Sequence, residues 1–177
     1  SFGSLFTRPP YKLIRKLLIA FSQMPQTIIW KYEGKIPTNI PENVKIISWL
    51  PQNDILADPK TKLFVTHCGS NGIFEALYHG VPMLGIPLFS DQFRNAKNLV
   101  AKGYGLVVDI KTLSSQELVL KMNSIIHQVK YVKAIKKASA IFKDRTQSPR
   151  QKAVCSIEQI LKYGGRHLRT KSYNIGW

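Results

Sequence analysis

Cysteine, acidic charge and unbroken apolar runs are all scarce in this chain. Its 177 residues include two cysteines, Cys68 and Cys155. That is too few for a disulfide framework or a zinc site, and both are expected to be reduced packing residues. The histidines His67, His79, His127 and His167 have no HExxH or CxxC company, so no metal ion is expected. No window approaches the roughly 18 to 20 apolar residues of a membrane span and no signal-peptide pattern stands at the start, so the stretch is expected to be soluble. Neither GxGxxG nor GxxxxGK[ST] occurs, which removes the standard dinucleotide fingerprint and the P-loop. Acids number 10 against 26 Lys and Arg, a net charge of +16. Such a balance raises nucleic acid as a partner. However, the bases are scattered among helical segments and no RRM, KH or zinc-finger pattern accompanies them. A solvated basic face, near anionic lipid headgroups at most, is the preferred reading. A non-catalytic basic module binding nucleic acid or an anionic membrane surface stays as the alternative function.

With 44% hydrophobic residues, the chain is long enough for one complete core and too short for two ordinary domains, so 1–177 reads as a single domain. Its most informative stretch is LFVTHCGSNGIFEALYHG. Leu63 to Val65 reads as a buried parallel strand stopping at Thr66 and His67. A glycine turn follows, and Ile73, Phe74, Ala76 and Leu77 return at helical spacing. Gly69 to Asn71 are therefore expected at a helix N-terminus, with Asn71 as the N-cap. Free backbone N–H groups and the positive end of the helix dipole converge there, which suits an anion. Gly69 and Gly72, without Cβ atoms, would let a phosphate approach the backbone. His67 would add a donor, and Glu75 is placed for sugar hydroxyls. By itself this pattern leaves packing and phosphate binding about equally favoured.

In chain order, Pro9 and Pro10 suit the first turn of an amphipathic helix from Tyr11 to Met24, with Leu13, Ile14, Leu17, Leu18 and Phe21 on its buried face. Thr27 to Trp30 reads as a buried strand, 33–41 as a loop, and Val44 to Ile47 as the next strand, delivering Trp49 and Leu50 to the sheet edge that carries His67. Pro51 starts a short helix. Strands at Pro82 to Leu84 and Gly105 to Val108 alternate with helices at Phe93 to Lys102, from Ser114 to about His127 with Glu117 as its capping-box partner, and at about Tyr131 to Phe142 and Ser148 to Tyr163. At Asp91 and Gln92 a carboxylate stands beside a carboxamide, a pair suited to hexose hydroxyls; a helix N-cap at Ser90 or Asp91 is the plainer reading. The repeated alternation predicts an α/β fold with a doubly wound parallel sheet.

Trp49-Leu50-Pro51-Gln52, His67-Cys68-Gly69, Asn71, Glu75, His79-Gly80-Val81-Pro82, Pro87 and Asp91-Gln92 together resemble the donor-binding signature of the UDP-glycosyltransferases. The runs WLPQNDILADPKTKLFVTH and EALYHGVPMLGIPLFSDQ, with Arg166-His167-Leu168-Arg169, are most similar to the animal branch of glucuronosyl- and glucosyltransferases. The resemblance implies a Rossmann-like domain, the C-terminal half of a GT-B glycosyltransferase. Ser1 to Ser4 matches the end of that half's first strand. The N-terminal acceptor domain and a C-terminal transmembrane helix are then expected outside this stretch, and the longer protein on the lumenal side of the endoplasmic reticulum membrane. The resemblance assigns uracil to Trp49 and the backbone of Leu50, ribose to Gln52 and Glu75, pyrophosphate to Ser4, His67 and the turn Gly69, Ser70, Asn71 and Gly72, and sugar hydroxyls to Asp91 and Gln92. It implies inverting, metal-independent transfer to a small lipophilic acceptor, with UDP-sugar as co-substrate and no cofactor. The base, a His supported by an Asp, belongs to the other half, so no catalytic residue is expected here and this stretch alone should bind donor without turnover. Nucleic acid is not an implied partner; homo-oligomerisation and the choice between glucose and glucuronic acid stay open. A UDP-sugar epimerase of the same fold would not be expected to carry the whole signature.

Overall fold

The computed structural model describes residues 1–3, 10–35 and 37–174. The chain divides into two compact units, Ser1–Lys143 and Asp144–Trp177.

In the first unit, helix α1 spans Tyr11–Ser22 and buries Leu13, Ile14, Leu17, Leu18 and Phe21, the face that the apolar spacing predicts, with Ala20 beside them. Each of these large side chains contributes about 1.5–3 kcal/mol through removal from water. Pro10 lies just before the helix rather than in its first turn, because its ψ of 142° is extended; Pro9 is outside the described residues. Strand β1 (Ile28–Lys31) runs parallel to β2 (Val44–Ile47), with Trp30 opposite Ile46 and Lys31 opposite Ile47. The expectation of a buried first strand holds on one face only: Trp30 is buried, but Ile29 on the other face is 41% exposed. Alternation along a strand sends successive side chains to opposite faces, and this sheet is covered on one.

The second sheet has the parallel order β3 (Phe64–Thr66), β4 (Met83–Gly85) and β5 (Gly105–Val107). Helices α2 (Gln52–Ala57), α3 (Ser70–His79), α4 (Gln92–Ala101), α5 (Ser115–His127) and α6 (Val129–Lys143) complete the unit. Strand β4 shows why the fold is doubly wound. Met83 and Leu84 are both fully buried yet belong to different apolar clusters, Met83 with residues of α3, α4 and α6, Leu84 with residues of α1, β1 and α5. Helices thus cover both faces of the central strand, as an all-parallel sheet requires. The segment Ser1–Gly3 runs beside β3, where the Ser1 amine donates to the Val65 carbonyl at 3.0 Å.

Ser114 caps α5 as expected, accepting from the Glu117 N–H at 3.1 Å. The reciprocal half of the predicted capping box is absent, because the Glu117 carboxylate pairs instead with Lys121 at 2.9 Å, one turn along the same helix.

The second unit holds α7 (Pro149–Tyr163) and two short 3-10 turns, Arg166–Leu168 and Lys171–Asn174. Ser148 and Gln151 form a complete capping box at its start. No residue of α7 is buried, so Cys155 is exposed rather than the packing residue anticipated. Among the described residues, no helix is long and apolar enough to cross a membrane.

Candidate functional site

The turn between β3 and α3 is built to leave backbone donors free. Cys68 adopts φ +66°, a left-handed conformation that costs a non-glycine residue energy. Burial and a local bond hold it there: its side chain is wholly buried, and its N–H donates to Thr66 Oγ1 at 3.2 Å. Burial pushes the Cys68 thiol up to about 12, which leaves it neutral and inert as nucleophile or metal ligand. Gly69 is the extended residue at the N-cap position (φ −65°, ψ 142°) and has no side chain with which to cap. Ile73 N is the first to find an intrahelical acceptor, the Gly69 carbonyl at 3.1 Å. The N–H groups of Ser70, Asn71 and Gly72 are therefore the unpaired donors of a helix start. The expectation that Asn71 is the N-cap is corrected, since Asn71 is already the second helical residue.

His67 stands at the end of β3 in a cradle made by two glycines. A Cβ on Gly69 would lie 2.4 Å from its Nε2, and one on Gly3 2.8 Å from its Cε1. Its buried Nδ1 has no hydrogen-bond partner among the described residues. Burial lowers the pKa of His67, the adjacent Ser1 amine adds to the lowering, and Asp91 opposes both. The imidazole is thus neutral at neutral pH, able to offer one N–H to an anion.

Across the site, Trp49 follows β2 with 70% of its surface exposed. A large aromatic residue placed this way is a platform rather than core. The Leu50 carbonyl accepts from Gln52 N at 2.8 Å, which tightens the turn into α2. Gln52 Nε2 donates to Glu75 Oε2 at 2.6 Å, so the two residues assigned to ribose are joined directly. Gly72 lies close behind this pair, where a Cβ would press on the Phe64 ring at 3.3 Å.

Asp91 occupies the N-cap position of α4 but makes no capping bond with its side chain. Its Oδ2 instead accepts from Asn95 Nδ2 at 2.8 Å and from Ser70 Oγ at 3.2 Å, and Asn95 Nδ2 also reaches the Cys68 carbonyl at 3.1 Å. Asn95 therefore ties the α4 loop to the β3–α3 turn, a role that sequence reasoning missed because nothing in its spacing sets it apart. Gln92 is buried, and its Oε1 accepts from the N–H groups of Leu88 and Phe89 at 2.8 and 3.1 Å. It closes its own loop, leaving only the carboxamide nitrogen for a ligand.

One cavity of about 800 Å³ is lined by Trp49, Leu50, Gln52, His67, Gly69, Ser70, Asn71, Gly72, Glu75, Asp91 and Gln92 together. Ser4, the remaining donor-binding expectation, lies outside the described residues. Lys31 lines the same cavity and was not anticipated. The signal was available in its place at the end of β1, next to the strand that delivers Trp49. His79 bonds Asn53 Oδ1 at 2.9 Å and links α2 to α3. Among the described residues, no three or more His, Cys, Asp or Glu gather as a metal site would require.

A parallel Rossmann-like domain with an indole platform and an amide nest at the carboxyl ends of its strands is the C-terminal half of the GT-B glycosyltransferase architecture. Solved structures agree. Spinosyn forosaminyltransferase SpnP superposes with TM-score 0.81 over 92% of this chain and 42% of its own, at 21% identity. An anthocyanidin 3-O-glucosyltransferase solved with UDP gives 0.69 over 82% of this chain and 35% of its own, at 25% identity. The sequence narrows the class: residues 1–177 match the family model "UDP-glucoronosyl and UDP-glucosyl transferase", and the chain belongs to that family. It is 42% identical over its whole length to UDP-glucuronosyltransferase 2B15 of Homo sapiens, covering 34% of that protein. The chain thus spans about a third of the length of the curated relatives it matches.

Proposed function

We propose that this chain binds a UDP-sugar and presents it for inverting, metal-independent transfer of a hexosyl or glucuronosyl group to a small lipophilic acceptor. The observation that carries the reading is that the Trp49 indole and the amide nest of α3 open onto one cavity. The uracil stacks on Trp49, the ribose hydroxyls meet the Gln52–Glu75 pair, and the diphosphate receives the N–H groups of Ser70 to Gly72 and the neutral imidazole of His67. Asp91 faces the hexose, its carboxylate oriented by Asn95 and Ser70.

In the transfer, the acceptor oxygen attacks the anomeric carbon from the face opposite UDP and the bond to the β-phosphate oxygen breaks. Negative charge grows on that oxygen, and preformed amide donors stabilise it without reorganising. The acceptor proton goes to a base that this chain does not supply, so the chain alone binds donor and turns over little. By resemblance to the family, the acceptor half precedes this domain, and the longer protein works on the lumenal side of the endoplasmic reticulum membrane through a C-terminal anchor.

Calorimetric titration with UDP, UDP-glucose and UDP-glucuronate tests the reading. Saturable binding that Trp49→Ala and His67→Ala both weaken is expected. Absence of any UDP binding, together with nucleic-acid or anionic-vesicle binding that collapses with added salt, would establish the basic-module alternative instead.

A further inference from the structure

The proposed donor cavity must hold a diphosphate, yet most of its polar lining is neutral or acidic. Besides the backbone nest and neutral His67, it presents Asp54, Glu75 and Asp91, and Lys31 is its only lysine or arginine among the described residues. Lys31 is the last residue of β1, and its register opposite Ile47 sets it beside the chain leading to Trp49. Its side chain is 10% exposed. The ammonium lies 4.7 Å from the Trp49 ring centroid and 3.5 Å from the carbonyl of Gly3, the residue that backs onto the His67 imidazole. It therefore stands where the indole platform and the His67 corner approach each other. Its ionic partner among the described residues is Glu33 at 3.3 Å, a side chain 40% exposed on the loop after β1.

We propose that Lys31 is a donor-binding residue whose ammonium leaves Glu33 and neutralises the diphosphate. This rests on the reading of the cavity as a UDP-sugar site. An ammonium offers three donors around a compact charge, and a desolvated cation gains more from a dianion than from a solvent-exposed carboxylate. Glu33 then acts as a resting counter-ion, keeping the charge satisfied while the site is empty. The contact with Trp49 holds the ammonium above the ring face.

The test measures uridine and UDP binding by calorimetry to the whole chain and to the Lys31→Met, Lys31→Arg and Glu33→Gln variants, with thermal melts as a check on folding. Lys31→Met should lose about tenfold in UDP affinity while uridine affinity stays within about twofold, since uridine carries no phosphate. Lys31→Arg should restore UDP binding to within about threefold, and Glu33→Gln should tighten it by about two- to fivefold by releasing the competitor. Equal losses for uridine and UDP in Lys31→Met would overturn the proposal, because Lys31 would then serve only the indole. Unchanged UDP affinity would overturn it as well. Failure of the unaltered chain to bind UDP would strike the cavity reading itself, whereas selective failure at Lys31 leaves that reading intact.

Discussion

The two ends of the cavity are made in opposite ways. At the nest, buried Cys68, the His67 cradle and the Asn95 bonds fix backbone donors whose positions no single exposed side chain decides. At the platform, one indole stands 70% exposed with a lysine over its face. Backbone donors are cheap to aim when a helix starts there, because the chain geometry aims several at once. An aromatic face cannot be shared among residues, so the whole stacking energy rests on one side chain. Damage at the platform should therefore be local and sharp, and damage at the nest distributed and coupled.

The largest effect is expected at the platform. Trp49→Ala should weaken UDP binding by about 1–3 kcal/mol, the usual worth of a base on an aromatic ring, with little change in melting temperature because so little of the indole is buried. An equally large fall in stability would show the residue to be core and break the contrast. At the nest, Gly69→Ala should cost about tenfold in UDP affinity by driving the new methyl into the His67 ring. Combined with His67→Ala it should cost hardly more than either alone, and additive losses measured by calorimetry would mean that the two act separately. Glu75→Gln should cost about 1 kcal/mol in UDP binding through the weakened bond to Gln52, with deoxyuridine diphosphates losing less than UDP itself.

A smaller effect concerns pH. Because the folded pKa of His67 lies below its unfolded value, its contribution to stability is fully present above about pH 6.5 and is lost as pH falls through the depressed folded value. Melting temperature of the empty protein should fall on acidification from pH 7 to 5, less so in His67→Gln, while bound UDP should shrink the fall by favouring the imidazolium. The smallest effect is expected from cutting the chain after Lys143, since every cavity-lining residue precedes that point. UDP affinity should stay within about twofold.

Much of the fold could be read in advance, and the reasons differ by element. The buried face of α1, the strand Val44 to Ile47 and the hydroxyl cap at Ser114 follow from spacing and local hydrogen bonding, which need only neighbouring residues. The strand at Ile28 was legible in type but not in burial, because which face a sheet covers depends on what packs against it. At the site, the described residues assigned to donor binding from the sequence all line one cavity. Their resting partners were not. The Gln52–Glu75 bond, the inward turn of the Gln92 carbonyl, the bracing of Asp91 by Asn95 and the arrival of Lys31 beside Trp49 each join residues from different elements.

The amino-acid order alone determined where helices and strands alternate and which chemical groups arrive at the ends of the parallel strands, because periodicity and glycine placement are properties of consecutive residues. Only the tertiary structure decided which donors remain free and which are already taken. Whether an N–H, a carboxamide or an ammonium is available depends on partners brought close by folding, and that proximity is written in no single stretch of the chain.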